Sequence, residues 1–368
     1  MPEQPSTGAA AAADMLAEVA EGLGREQKEL PPKYFYDTHG AALFDRITML
    51  PEYYLTRVER ELLAGFAVGW IGRAGARALV ELGAGSAEKT RILLDAITMV
   101  RRRERVGAGA GRADFGASGG RGDATRKEGR GGRDAGGAAA SAGAPGAPWY
   151  VPVDISAAYL DALAASLERE YGARLEVHPI EADLTATLRL PAGTPRPAVF
   201  AFLGSTIGNF ERDDATALLR RVRTAMREDD HFLMGADLRK ERAILEAAYN
   251  DAQGVTAEFN LNILRVLNRE LDADFDLDAY EHRAFYDAER GRIEMHLVAR
   301  APQIVLVPGA GQFDIAAGET IRTEISCKYD RAAVESLFAA AGLELEQWVT
   351  EAGRRYALAV GRRARGST

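Results

Sequence analysis

The hydrophobic pattern of the chain changes character twice, and the changes divide it. Residues 10–24 carry an amphipathic helical pattern, which an aromatic-rich stretch at 31–37, Pro31-Pro32-Lys33-Tyr34-Phe35-Tyr36-Asp37, breaks. Thr56-Arg57-Val58-Glu59 reads as a capping box, which predicts a helix from there to about Ile71. A short apolar run at 78–82 ends in two glycines, and a helix is expected from about Ala87 to Met99. Beyond residue 148 the pattern predicts strands at 149–154, 175–180, 198–203 and 231–236, with helices at 157–171 and 212–227. Such alternation points to a parallel sheet covered on both faces. After Asp237 the order changes. Helical segments near 240–270 precede strands at 284–286 and 292–300, which flank the hairpin signal Asp287-Ala288-Glu289-Arg290-Gly291. A further strand at 320–329, a helix at 331–342 and strands at 344–350 and 356–361 close the chain. The expected organisation is a sheet domain over 1–238, an inserted α+β lobe over 239–328 and a return to the sheet over 329–368.

Residues 107–148 differ in kind. They hold 14 of the 38 glycines and one large apolar residue, Phe115, too little apolar surface to offset the entropy of ordering them. A disordered insertion is expected there. The rest is long enough for a sizeable core, and an apolar fraction of 47% is ordinary for a globular chain. A net charge of −8 argues against nucleic acid as a partner, since phosphate contacts need clustered Lys and Arg. The single cysteine, Cys327, excludes an internal disulfide framework and a cysteine-rich zinc site. Neither a signal peptide nor a membrane-spanning run is visible, so a cytoplasmic protein with no membrane partner is expected.

Candidate chemistry centres on Glu81-Leu82-Gly83-Ala84-Gly85-Ser86-Ala87-Glu88. Strand, glycine turn and helix start resemble the opening unit of a nucleotide-binding α/β fold. A dinucleotide fingerprint needs a third glycine where Glu88 stands, and a pyrophosphate beside Glu81 and Glu88 would meet negative charge. S-adenosylmethionine carries no phosphate and has a cationic methionyl end, so the turn suits a methyl donor better than NAD. Asp154, at a strand end roughly twenty-odd residues on once the insertion is removed, suits ribose hydroxyls or a helix cap at Ser156. Asp183 could accept from an adenine amino group or be a loop acid. Asn209 follows the fourth strand, at the edge where open α/β sheets bind ligands. Its amide could hold an amine and a carboxylate, or simply belong to a turn. The five histidines, His39, His178, His231, His282 and His296, show no metal-ligand spacing. Cys327 reads as a packed residue.

Several longer segments resemble one family. Lys33-Tyr34-Phe35-Tyr36-Asp37, Leu50-Pro51-Glu52-Tyr53-Tyr54, Glu81-Leu82-Gly83-Ala84-Gly85-Ser86, Leu203-Gly204-Ser205-Thr206-Ile207-Gly208-Asn209, Asn268-Arg269-Glu270-Leu271-Asp272-Ala273-Asp274-Phe275 and Thr323-Glu324-Ile325-Ser326-Cys327-Lys328 are similar to the L-histidine Nα-methyltransferases of ergothioneine biosynthesis. The likeness runs from about residue 28 to 361 outside the insertion. It implies a Rossmann-like class I S-adenosylmethionine-dependent methyltransferase sheet with an inserted α+β substrate-binding lobe. It also implies trimethylation of the histidine α-amino group to the betaine hercynine. By motif, Tyr36, Gly83, Lys89, Asp154, Asp183 and Leu184 would contact the donor, where the family has Phe in place of Leu184. Tyr53, Asn209 and Tyr249 would hold the backbone end of the amino acid, with Tyr53 and Asn209 orienting the reacting amine. Met295, Glu324, Ile325 and Ser326 would form the side-chain pocket, Glu324 and Ser326 binding the imidazole. No metal is expected. The partners implied are L-histidine and its mono- and dimethylated forms, acting on a monomer. Rival readings are methylation of another amino acid or small amine, a non-catalytic S-adenosylmethionine-binding protein and, weakest, a nucleotide-dependent dehydrogenase.

Overall fold

The computed structural model describes residues 7–85, 87–110, 146–184 and 187–365. The chain opens with α1 (Thr7–Leu23), β1 (Lys28–Glu29), α2 (Thr38–Met49), α3 (Tyr54–Ala74), β2 (Ala78–Leu82) and α4 (Thr90–Ala110). β3 (Trp149–Asp154), α5 (Ala157–Tyr171), β4 (Glu176–Val177), β5 (Ile180–Glu181), β6 (Ala198–Phe202), α6 (Arg212–Ala225) and β7 (His231–Asp237) follow. The remainder is α7 (Arg242–Ala247), α8 (Val255–Glu270), β8 (Tyr280–Asp287), β9 (Arg292–Ala299), β10 (Gln303–Val307), β11 (Gly311–Ile315), β12 (Thr320–Cys327), α9 (Arg331–Ala341), β13 (Leu343–Thr350) and β14 (Tyr356–Arg363). The architecture is mixed α/β with mostly parallel strands in its main sheet.

Two compact units result, Leu63–Ala201 with Arg221–Phe232, and Met1–Leu62 with Phe202–Arg220 and Leu233–Thr368. The division falls within β6 and β7. In the first unit β6, β2, β3 and β4 lie side by side, and β5 also pairs with β3. All of these pairings are parallel. β2 and β6 are buried along their whole length, as expected for strands covered on both faces. Leu93, Leu94 and Ile97 of α4 and Leu160, Leu163 and Leu167 of α5 are buried in this unit. Each such side chain is worth about 1.5–3 kcal/mol relative to exposure.

The second unit contains a four-stranded sheet ordered β1-β12-β9-β8, antiparallel except for the β1–β12 pair. It also holds the antiparallel pair β13–β14, with β7 next to β14. In β12, Glu324 pairs with Met295 of β9 and Ser326 with Ile293, after an irregularity between Arg322 and Glu324.

Several local expectations change. α2 lies in a stretch that carried no helical signal; its cap is Asp37, whose Oδ1 accepts from the Gly40 amide at 2.8 Å. α3 begins at Tyr54, so Thr56 and Glu59 lie inside the helix and form no capping box. The strand expected at 175–180 is broken into β4 and β5, and the β10–β11 hairpin carried no prior signal. α4 continues past Met99 to Ala110. Residues 111–145, most of the expected insertion, lie outside the described residues.

Candidate functional site

In the second unit the predicted substrate residues come from five segments of chain, and Tyr36, a predicted donor contact, lies in the same unit. The turn before α2 is fixed on α8: Asn262 donates to the Phe35 carbonyl at 3.1 Å and to Asp37 at 2.9 Å, and Arg269 pairs with Asp37 at 2.7 Å. This turn carries Tyr36, whose ring meets Phe44 edge-on at 5.8 Å and Phe259 at 5.6 Å. Tyr36 nonetheless remains 51% exposed, a large ring left open. The next turn carries Tyr53 and is tied down by Arg57, which donates to the Leu50, Pro51 and Tyr53 carbonyls. Tyr53 meets Phe44 at 6.3 Å and Tyr249 at 6.4 Å, so the aromatic rings continue from one segment to the next.

The loop after β6 carries Asn209 and is braced at four points. Glu59, buried inside α3, accepts from the Gly204 amide at 2.8 and 3.0 Å and from the Tyr356 hydroxyl at 2.8 Å. The Asp237 amide donates to Ser205 Oγ at 2.9 Å, and Tyr329 donates to the Ile207 carbonyl at 3.2 Å. Cys327 donates weakly to the Phe210 carbonyl at 3.7 Å. Gly208 lies flat on β12: a Cβ there would stand 2.9 Å from the Cys327 carbonyl oxygen and 3.4 Å from Ser326 Oγ. Only glycine lets the loop approach the strand this closely. The approach brings the Asn209 loop against the strand that carries Glu324 and Ser326. No hydrogen bond within the described residues engages the Asn209 amide.

Strand alternation sets the faces of β12. Glu324, Ser326 and, just beyond the strand, Lys328 share one face, while Ile325 falls on the other, opposite Glu294. Ile325 can therefore offer a ligand only its main chain. Met295, buried, sits across from Glu324. No hydrogen bond within the described residues engages the Glu324 carboxylate. Burial pushes that carboxyl up to about 7, against the pull of the Lys328 ammonium. Tyr53, Tyr36 and Tyr249 all feel its charge.

Beneath these groups lies a buried ionic cluster. Asp237 pairs with Lys328 at 2.8 Å and with Lys240, and accepts from the Tyr54 hydroxyl at 2.7 Å. Burial alone would raise the Asp237 carboxyl, but the two ammonium groups hold it below its ordinary range. Burial lowers Lys240 to about 8, in part against Asp237. Lys328 also donates to Ser326 Oγ at 2.8 Å and to Tyr249 Oη at 3.0 Å.

In the first unit the predicted donor residues stand at adjacent strand ends. The Gly83 amide, following β2, donates to the Val153 carbonyl of β3 at 2.8 Å. The Ala182 amide, following β5, donates to the Asp154 carbonyl at 2.9 Å. Gly83, Asp154 and Asp183 thus succeed one another along the carboxyl edge, with Leu184 next in chain. Gly83 and Gly85 are left-handed, with φ of +67° and +46°. Asp154 Oδ1 accepts from the Ser156 amide at 3.2 Å, while Ser156 itself caps α5 through the Tyr159 amide. Lys89, half-buried, precedes the first residue of α4. Glu81 does not face a ligand. It is buried, and its two oxygens accept from Thr90 and from Tyr150, which braces the turn from below. Glu88 is exposed.

A family model described as histidine-specific methyltransferase, SAM-dependent, matches residues 15–108 and 139–363. Histidine N-alpha-methyltransferase of Mycobacterium tuberculosis is 40% identical over 91% of this chain and 91% of its own. Its counterpart in Mycolicibacterium smegmatis is 38% identical over 95% and 96%. Ergothioneine biosynthesis protein 1 of Neurospora crassa is 27% identical over 90% of this chain, which spans 33% of that longer protein. The chain belongs to the S-adenosylmethionine-dependent histidine-specific methyltransferases.

Membership makes S-adenosylmethionine the methyl donor, and the class I methyltransferase fold follows with it. The strand-end cradle fits that group: two left-handed glycines open the main chain, carboxylates follow on the next strands, and no third glycine prepares a pyrophosphate nest. Among the described residues no group of three or more His, Cys, Asp or Glu side chains could hold a metal ion, and no helix is long and apolar enough to cross a membrane. From sequence, Asp237, Lys240 and Lys328 carried no site role, and Glu59 only that of a helix cap. Glu59 was masked by its resemblance to a cap. The strand period places Lys328 on the face of Glu324 and Ser326, which signals its position but not the bonds it makes to Asp237 and Tyr249.

Proposed function

We propose that the protein trimethylates the α-amino group of L-histidine to hercynine, in the biosynthesis of ergothioneine. One observation carries the reading. On a single strand face, a half-buried carboxylate with no partner among the described residues stands two residues from a hydroxyl, in the unit that also holds the unengaged Asn209 amide. A carboxylate accepts from one ring nitrogen and a hydroxyl donates to the other, which is the demand of a neutral imidazole. A side chain lacking those nitrogens would leave Glu324 and Ser326 unpaired, and sites of this kind reject such analogues strongly.

S-adenosylmethionine supplies an electrophilic methyl group that needs no further activation. The protein's part is to hold the amine unprotonated, aligned and shielded from water. Tyr53 and Asn209 orient it, and Tyr249 holds the backbone end with them. Rings of Tyr53, Phe44 and Tyr36 offer faces to a nitrogen that becomes cationic as methyl groups accumulate. Gly83, Lys89, Asp154, Asp183 and Leu184 bind the donor. The test is mass spectrometry of L-histidine incubated with the protein and S-adenosylmethionine. Products carrying one, two and three added methyl groups, each heavier than the last by the mass of CH2, are expected. Methylation of a different amino acid in preference to histidine would overturn the reading.

A further inference from the structure

Lys328 closes the sequence motif that contains Glu324 and Ser326, and it is 2% exposed. An ammonium has three hydrogens to donate and accepts none. All three are placed: on Asp237 Oδ2 at 2.8 Å, on Ser326 Oγ at 2.8 Å and on Tyr249 Oη at 3.0 Å. The Tyr249 hydroxyl in turn donates to Ser326 Oγ at 2.9 Å. Ser326 Oγ therefore receives two hydrogen bonds, which occupies both of its lone pairs. Its one remaining capacity is its own hydrogen.

We propose that Lys328 is a positioning residue for substrate selection: by donating to Ser326 and Tyr249 it forces the Ser326 hydroxyl to act only as a donor toward the side chain of the bound amino acid. This rests on the histidine reading above and explains how the site distinguishes the two ring nitrogens. Ser326 can serve only a nitrogen with a free lone pair, so the N–H of the ring is directed to Glu324. A protonated ring, which has no lone pair, finds no acceptor at Ser326 and meets the positive charge of Lys328 behind it. The Asp237 carboxylate keeps Lys328 charged, and Lys240 on the same carboxylate leaves Asp237 paired when Lys328 is replaced.

The experiment compares L-histidine with β-(2-thienyl)-L-alanine, a five-membered aromatic ring without nitrogen. For wild type, Lys328→Met, Ser326→Ala and the double variant, kcat and KM are measured with histidine, and thienylalanine is measured as a competitive inhibitor. Lys328→Met should raise the histidine KM by about tenfold, the weight of one hydrogen bond between polar groups, and leave thienylalanine inhibition within about twofold. In the Ser326→Ala background the same change should have no further effect on the ratio, because the residue acts through Ser326. Lys328→Leu, which likewise has no hydrogen to donate to Ser326, should raise the histidine KM and spare thienylalanine inhibition in the same way, and serves if the methionine variant does not fold. Equal losses for both ligands, or a full Lys328 effect without the serine hydroxyl, would overturn the proposal. A wild-type protein that leaves histidine unmethylated would overturn the substrate reading, and this inference with it. That result is visible before any variant is made.

Discussion

Replacing Glu324 with glutamine should stabilise the ligand-free protein above neutral pH while impairing histidine use. Burial, only partly opposed by Lys328, holds the folded-state carboxyl at about 7, against 4.5 for an ordinary glutamate. Between those two values the folded chain keeps a proton that the unfolded chain has released. The stability contributed at this position therefore falls as pH rises from about 4.5 to about 7, and stays low above that. The interval corresponds to about 3–4 kcal/mol at about 1.4 kcal/mol per pH unit. Water that reaches a half-buried carboxylate reduces this to about 1–2 kcal/mol. For a chain of this length each kcal/mol moves the melting temperature by about 1 °C. Glu324→Gln should thus melt about 1–2 °C above wild type at pH 8 and together with it near pH 4.5, by calorimetry without ligands. Glu324→Ala should cost on the order of 1–3 kcal/mol in kcat/KM for histidine and leave donor binding nearly unchanged, since one imidazole hydrogen loses its acceptor. A melting difference that is the same at both pH values would refute the argument for an uncompensated carboxylate. Unaltered histidine kinetics in the alanine variant would mean that the ring is read elsewhere.

Three further outcomes are expected. Gly208→Ala should overpack the Asn209 loop against the Cys327 carbonyl, costing about 1–3 kcal/mol of stability and raising the histidine KM, measured by thermal melts and initial rates. Glu59→Ala should strip the Gly204 amide and the Tyr356 hydroxyl of an acceptor, at about 1–3 kcal/mol for each buried donor, and lower kcat/KM for histidine; an unchanged melting temperature would show that the brace contributes nothing. Deletion of residues 111–138 with a short linker should leave fold and turnover intact, because the family model matches on both sides of a gap at 109–138; loss of folding on clean deletion would sink this.

The elements were legible where one hydrophobic period runs uninterrupted. β2, β3, α5 and β6 fall close to their expected bounds because they are covered on both faces or carry a capped apolar stripe. α2 was not legible, since its cap Asp37 is followed by Thr38-His39-Gly40, and the helix is secured by Asn262 and Arg269, more than two hundred residues away. The apparent capping box at Thr56 misled for a related reason. Local spacing matched, but Glu59 is held by groups at 204 and 356, which no local pattern contains. Glu81 shows the same limit: an acid before a glycine turn suggests a charge facing a ligand, and burial against Tyr150 and Thr90 turns it into a brace.

The candidate site divides along the same line. Groups without a hydrogen-bond partner among the described residues, such as Asn209 and Glu324, and the exposed ring of Tyr36 could be named from motifs, because the proposed roles need only the right chemistry at the right loop or strand face. The groups that fix them are long-range partners, and their meaning appears only once hydrogen-bond directions are counted. Lys328 is the clearest case. Read alone it is a lysine after a strand; read with its three acceptors it decides which way one serine hydroxyl points. Burying two ammonium groups on one carboxylate is a costly arrangement, because charges leave water for an imperfectly balanced interior. Its position directly behind Ser326 and Tyr249 gives that cost a purpose: a neutral core could pack there, but it could not impose a donor on the site. Selectivity for a ring with one free lone pair therefore rests as much on the residues beneath the pocket as on those that line it.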